Sequence, residues 1–212
     1  MKIIQSFSII GILATLLLVS CENFDELNEN PNEPTVVSPD VLLTSALRSS
    51  INTSVNESFL LANNAAQLTA KTLRTEVDAY NWNAFPTVWE GFYESLTDVF
   101  AVEEQAVAEG NEHLQGVAIV LRSWIFANLT NAYGDIPYFE AVGGAGDNFT
   151  PVYDPQEEIY LDLLDLLDQA DALLVPAASG SIDGDILLNG DAAKWRKLAN
   201  SLRLRLLMTA NN

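Results

Sequence analysis

Residues 117–141, VAIVLRSWIFANLTNAYGDIPYFEA, carry the clearest helix in the chain together with the signal that ends it. Val117, Leu121, Trp124, Ile125 and Leu129 recur at the three- and four-residue spacing of one helix face, which predicts a buried amphipathic helix. Tyr133-Gly134-Asp135 then stops it. Gly134 suits the left-handed position just past a helix end. Pro137 cannot continue a helix, and it pushes the residue before it towards extended geometry. The next four residues, Ile136-Pro137-Tyr138-Phe139, read as an aromatic turn with a structural role. By itself the stretch is an ordinary core helix with a C-cap, and it names no chemistry.

Composition limits what surrounds that helix. The 212 residues are 49% hydrophobic, enough to bury a real core in one domain. Ten basic residues against 29 acidic ones give a formal charge of −19, a surface that repels nucleic acid and anionic lipid. Cys21 is the single cysteine and His113 the single histidine, so neither an internal disulfide nor a Cys/His zinc site can form, and no metal or cofactor is expected.

Cys21 is read from its context. Lys2 gives a positive start, residues 9–19 form an apolar run, and Leu18-Val19-Ser20-Cys21 closes it with small residues ahead of the cysteine. The pattern resembles a bacterial lipoprotein signal, with cleavage after Ser20 and acylation of Cys21. A plain secretory signal and an uncleaved anchor are the alternatives, and both leave the cysteine unexplained. Each buried methylene of an acyl chain contributes about 0.8 kcal/mol, so a multiply acylated Cys21 would hold the protein on a membrane. Residues 1–20 are thus expected to be a signal peptide, 21–38 an acidic, Asn- and Pro-rich tether, and 39–212 a helical domain.

Ser38-Pro39-Asp40 predicts the first helix start, with Val41, Leu42, Leu43, Ala46, Leu47 and Ile51 as its apolar face. A second helix is expected over 57–74. Residues 76–86, EVDAYNWNAFP, form a polar connection in which the rings of Tyr80 and Trp82 could stack on a sugar or pack back on the core. Long helices are expected over 87–109 and, after Gly110-Asn111, through the organising stretch, with His113 read as a surface or capping residue at its start. The loop Gly143-Gly144-Ala145-Gly146-Asp147 lacks the Gly-Lys-Ser/Thr ending of a phosphate cradle, so nucleotide binding is rejected. The Asn-x-Ser/Thr triplets at Asn52, Asn56, Asn128 and Asn148 are read as chance.

Two helices close the chain. Asp154-Pro155 predicts the start of one whose Ile159, Leu163, Leu166, Leu167, Ala170 and Leu174 share a face, and which carries seven acids counted from Asp154 to Asp171 and no base. The last, over 191–210 with Asp191 as N-cap, holds Lys194, Arg196, Lys197, Arg203 and Arg205. The opposed charges predict that these two pack antiparallel as neighbours. Between them, residues 179–191 read as a solvated loop, because Leu187 occupies a ligand position of the calcium-loop pattern. The sum is an all-α chain of about six helices pairing into stacked hairpins, tetratricopeptide-like although no clean repeat is visible.

Taken in order, several segments resemble the SusD/RagB group of nutrient-binding lipoproteins. They are the lipobox ending at Cys21, Asn-Pro-Asn-Glu-Pro at 30–34, Tyr-Gly-Asp-Ile-Pro-Tyr at 133–138, and Leu-Leu-Asn-Gly-Asp at 187–191 followed by the Trp-Arg-Lys-Leu-Ala-Asn-Ser-Leu-Arg-Leu-Arg run at 195–205. The resemblance implies a SusD-type helical scaffold, lipid-anchored at the outside of an outer membrane. There it would capture an oligosaccharide, or sometimes a peptide, for import by a SusC-like TonB-dependent transporter, without catalysis. It also implies that Tyr80, Trp82 and Asn83 contact ligand, and that this chain is the N-terminal portion of a longer protein, since family members continue past the 195–205 motif. Two other classes stay in view. A surface hydrolase would need a catalytic set that cannot be assembled around His113. A helical adaptor scaffold would bind a protein partner and no small ligand.

Overall fold

The computed structural model describes residues 37–73, 75–81, 86–142 and 148–210. The expected signal, the tether up to residue 36 and Cys21 lie outside that set. Five long helices succeed one another: α1 (Pro39–Glu57), α2 (Pro86–Glu109), α3 (Glu112–Tyr133), α4 (Gln156–Leu173) and α5 (Ala192–Ala210). Among the described residues the only β pairing is a single antiparallel bridge between Ile136 and Asp154. The chain is all-α, as its periodicity predicts.

Local chemistry sets the helix ends. Ser38 is extended and Pro39 opens α1, where a missing N–H loses nothing. The Asn111 side chain accepts from the Leu114 N–H at 3.0 Å, and Asp191 accepts from Lys194 at 3.1 Å, each satisfying a donor that the first turn leaves over. Gly110 and Gly134, at φ +67° and +78°, end α2 and α3.

Residues 57–74 do not form the separate helix expected of them. Instead α1 runs on through a π-helical turn, Ser58–Ala62, and one last α turn, Asn63–Ala65, before Gln67 turns to φ +57°. No glycine or proline lies between Asn52 and Ala65 to break it. Asn64 is what makes the wider turn tolerable. Its buried side-chain amide donates to the Phe59 and Leu60 carbonyls at 3.1 and 3.2 Å, and the Lys71 ammonium reaches the Leu60 carbonyl as well, at 2.7 Å, so the carbonyls of the wider turn are served. Beyond it, Leu68 and Leu73 have no helix to pack them and stand exposed.

The helices meet as antiparallel neighbours, shown by contacts whose numbers rise on one helix and fall on the next. Between α1 and α2 the pairs are Ser49 with Ser95, whose hydroxyls lie 2.9 Å apart, Thr53 with Gly91, and Glu57 with Thr87. A Cβ at Gly91 would sit 2.5 Å from the Thr53 hydroxyl oxygen, so the glycine lets these two backbones close up. Trp89 meets Tyr133 and Glu103 meets Arg122 across α2 and α3, while Tyr160 of α4 donates to Asn131 of α3. The predicted charge seam is present: Arg196 grips Asp171 through two 2.8 Å bonds, and Arg203 pairs with Asp168.

α3 differs from its expected form. It is not amphipathic, because Ala118, Ile119, Val120, Phe126 and Ala127 are buried along with Val117, Leu121, Ile125 and Leu129. The reason is its position: it packs on α2, α4 and α5 and touches α1, so between Leu114 and Thr130 only Gln115, Arg122, Trp124 and Asn128 keep partial exposure.

Candidate functional site

Antiparallel packing brings the start of α2, the end of α3 and the approach to α4 to one end of the bundle, and each contributes an aromatic ring. Trp89 lies in the first turn of α2, half-buried. Tyr133, the last residue of α3, meets it edge-on with ring centres 5.2 Å apart, and Tyr153 lies nearly parallel to it, at 6.1 Å and 22°. Tyr133 is 42% and Tyr153 64% exposed, so the group presents ring surface to solvent. Beneath it the rings are fixed. Tyr93 contacts Trp89 at 4.9 Å and donates its hydroxyl to the Pro137 carbonyl at 2.6 Å, and Tyr138 packs on Phe126 at 4.6 Å and donates to Asp162. Burial pushes the Tyr93 and Tyr138 hydroxyls above their ordinary range, so both stay protonated donors.

Asp154, expected to open α4, has another task. Its carboxylate accepts from the Tyr138 and Phe139 N–H groups at 2.9 Å each, and its backbone pairs with Ile136, so it pins the aromatic turn from inside while Pro155 precedes the helix. Glu57, at the end of α1, meets the start of α2. One of its oxygens accepts from the Thr87 hydroxyl, two residues before Trp89; the other is buried and has no hydrogen-bond partner among the described residues. The Tyr133 hydroxyl is pushed up first by burial and then by the Glu57 charge.

The residues singled out in the sequence fall differently. Tyr80 is exposed, holds a positive φ of 55° and accepts from the Gln67 side-chain amide at 3.1 Å. Trp82 and Asn83 lie outside the described residues, so Tyr80 is the one member of that set whose place is given. His113 at the start of α3 bridges to the Gly180 and Val175 carbonyls, its ring nitrogens 3.0 and 3.1 Å from them, and thereby ties α3 to the segment after α4. The loop expected to be solvated is anchored through a buried acid. Asp185 accepts from the Leu187, Leu188 and Gly190 N–H groups and from the Trp195 indole at 2.8–3.0 Å.

An apolar cavity of about 260 Å³ also lies between α1, α3 and α5, with Trp124, Trp195, Leu187 and Leu198 in its wall. It offers almost no polar group to orient a hydroxylated ligand, whereas the Trp89 surface combines flat rings with acceptors. Nothing along the chain marks that surface as a unit. Trp89 reads as one more residue on a helix face, and Tyr133 as part of a turn; only the hairpin register joins them to Tyr153.

Residues 31–212 match a SusD-like family described as "Starch-binding associating with outer membrane". Among solved structures, a SusD homologue of Bacteroides fragilis is 32% identical, with a TM-score of 0.64 over 82% of this chain and 36% of that one. A Bacteroidetes SusD-like protein is 28% identical, with a TM-score of 0.69 over 81% and 33%, and a chitin-binding protein is 26% identical, with 0.67 over 81% and 38%. The chain therefore spans about a third of the length of the structures it resembles. A short stretch of 56 residues is also 34% identical to part of the large ribosomal subunit protein uL3 of Sorangium cellulosum, covering 26% of this chain and 24% of that one. A net charge of −19 argues against any ribosomal RNA contact that this likeness would suggest. A helical fold shared over four-fifths of the chain and a family match over nearly all of it agree, and the chain belongs to the SusD-like family.

Proposed function

We propose that this chain is the carbohydrate-binding scaffold of a surface lipoprotein that captures an oligosaccharide at the outer membrane and passes it to a SusC-like TonB-dependent transporter, with no chemistry of its own. The observation that carries the reading is the exposed ring group of Trp89, Tyr133 and Tyr153 at one end of a scaffold whose family is described as starch-binding and one of whose likenesses is a chitin-binding protein. Flat rings match the apolar face of a pyranose, and the ring edges carry hydroxyls for its polar rim. Tyr80, Trp82 and Asn83, on the connection leading into α2, complete the ligand surface in this reading. Residues 1–20 serve as the signal, Cys21 as the acylated anchor, 21–38 as the tether and 39–212 as the scaffold.

Isothermal titration with starch and chitin oligosaccharides tests the binding. Wild-type protein binds one of the two series, and Trp89→Ala weakens it more than tenfold, from the loss of about 1.5–3 kcal/mol for a buried ring contact. Unaltered binding by that variant overturns this surface as the site. In the native host, Cys21→Ala moves the protein from the membrane to the soluble fraction and ends its co-purification with a large β-barrel partner; retention of both overturns the anchor.

A further inference from the structure

His113, the single histidine of the chain, is the second residue of α3, and both of its ring nitrogens face carbonyl oxygens. Nδ1 lies 3.0 Å from the Gly180 oxygen and Nε2 3.1 Å from the Val175 oxygen. A carbonyl oxygen can only accept, and a neutral imidazole has one N–H. The neutral ring therefore serves one of the two oxygens and turns a lone pair on the other, whereas the imidazolium donates to both. The backbone around these acceptors is itself fixed to the start of α3. The His113 N–H donates to the Ser179 carbonyl at 3.1 Å, the Ser179 N–H to the Glu112 carboxylate at 2.8 Å, and the Asn111 amide to the Ser181 carbonyl at 2.9 Å. Gly180, at φ +115°, has no room for a Cβ, which would lie 1.8 Å from the Asn111 side-chain oxygen. The surrounding charge suits a cationic ring. Glu109 ends α2, Glu112 precedes the histidine on α3, and Asp183 and Asp185 line the same cleft from the connection to α5. The last acids of α4, Asp168 and Asp171, are engaged by Arg203 and Arg196, and residues 174–190 carry no base.

We infer that His113 is a proton-operated clasp: the doubly protonated ring fastens the connection between α4 and α5 to the start of α3, and loss of one proton releases one of its two carbonyls. The unfolded chain offers no such pair of acceptors. Binding of the second proton is therefore coupled to the fastened form, so the clasp is complete at acidic pH and weakens as pH rises. The same connection reaches α1 through the Gly184 carbonyl, which accepts from the Thr44 hydroxyl, and α5 through the bond between Asp185 and the Trp195 indole. The proton thus acts on a joint shared by α1, α3, α4 and α5.

The test is amide hydrogen exchange at Ala178 and Ser179 in wild type and His113→Gln, at pH 5.5 and pH 8, expressed as protection factors so that the intrinsic pH dependence of exchange is removed. Both amides belong to the clasped segment: Ala178 donates to the Val175 carbonyl at 3.0 Å and Ser179 to Glu112. Histidine is the side chain that ordinarily changes charge in this interval, and the chain has no other. Glu103, whose carboxyl burial pushes up, is common to both proteins and cancels in the difference between them. Wild-type protection is expected to fall about tenfold from pH 5.5 to pH 8, the equivalent of one charge-assisted hydrogen bond. His113→Gln is expected to show no such fall. If wild-type protection does not change with pH, the inference is overturned without recourse to any variant. It is equally overturned if His113→Gln keeps the fall, which would assign the pH dependence to the carboxylates.

Discussion

Two loops in this molecule are each organised by one buried aspartate, and they use it to different depths. Asp154 holds the turn after α3 with two backbone N–H groups and a backbone bridge. Asp185 holds the loop before α5 with three backbone N–H groups and the Trp195 indole, so it joins a loop to the largest fully buried side chain. The contrast teaches that a loop's rigidity can reside in one carboxyl, and that the number of donors converging on it sets how much depends on it. Burial by itself pushes the Asp185 carboxyl up. The Leu188, Trp195, Gly190 and Leu187 donors outweigh that effect and hold it below the usual carboxylate range.

Removing the better-served acid is the strongest way to break this comparison. Asp185→Ala strands four donors, one of them the buried indole, and is expected to lower unfolding stability by about 3–5 kcal/mol, read from the urea midpoint. Asp154→Ala strands two and should cost about 2–3 kcal/mol by the same measurement. A larger loss for Asp154 than for Asp185 would show that donor number is not what matters. Asp185→Asn keeps the shape and one good acceptor, so a loss of about 1–2 kcal/mol separates charge from geometry.

Acid titration sharpens the same point. The folded Asp185 carboxyl binds its proton less readily than the unfolded one, so its contribution is intact above the ordinary aspartate value, about pH 4, and is lost as pH falls through its lower folded value. Urea midpoints at pH 6 and pH 3 should differ less for Asp185→Asn than for wild type. The smallest effect belongs to the α4–α5 seam. Asp168 pairs with Arg203 half in solvent, and Asp168→Ala should change stability by no more than about 0.5 kcal/mol. A double-mutant cycle with Arg203→Ala measures their coupling.

Helices α2 to α5 were legible in the sequence because their apolar runs and their start and stop signals coincide; Gly110, Gly134 and Asp191 stand where those signals ask for them, while the cap that Asn111 gives α3 shows only in the structure. The end of α1 was not. Residues 57–74 have a helical composition throughout, yet the helix passes through a π turn served by Asn64 and ends at Ala65, where Gln67 turns to positive φ without a glycine or proline to force it. The two aspartates mislead for a related reason. Asp154 before Pro155 has the look of a helix start, and Asp185 between glycine and isoleucine the look of a wet loop. Their real partners are backbone groups placed by packing, and an indole ten residues away. The ring surface was hidden because its members lie 44 and 20 positions apart along the chain and are joined only by hairpin register.

The packing of α3 against four other helices has a consequence for how the chain comes into being. As it emerges from the ribosome, the α1–α2 hairpin has Leu43, Leu96 and Val99 ready to pack and no third partner until the 22 residues of α3 are made. Stability then arrives in one step, because the helix that completes the first hairpin is also the floor of the second. A newly made chain paused before residue 133 would be a substrate for holding chaperones, and in the finished protein the α3 amides should exchange with solvent only when the whole domain opens.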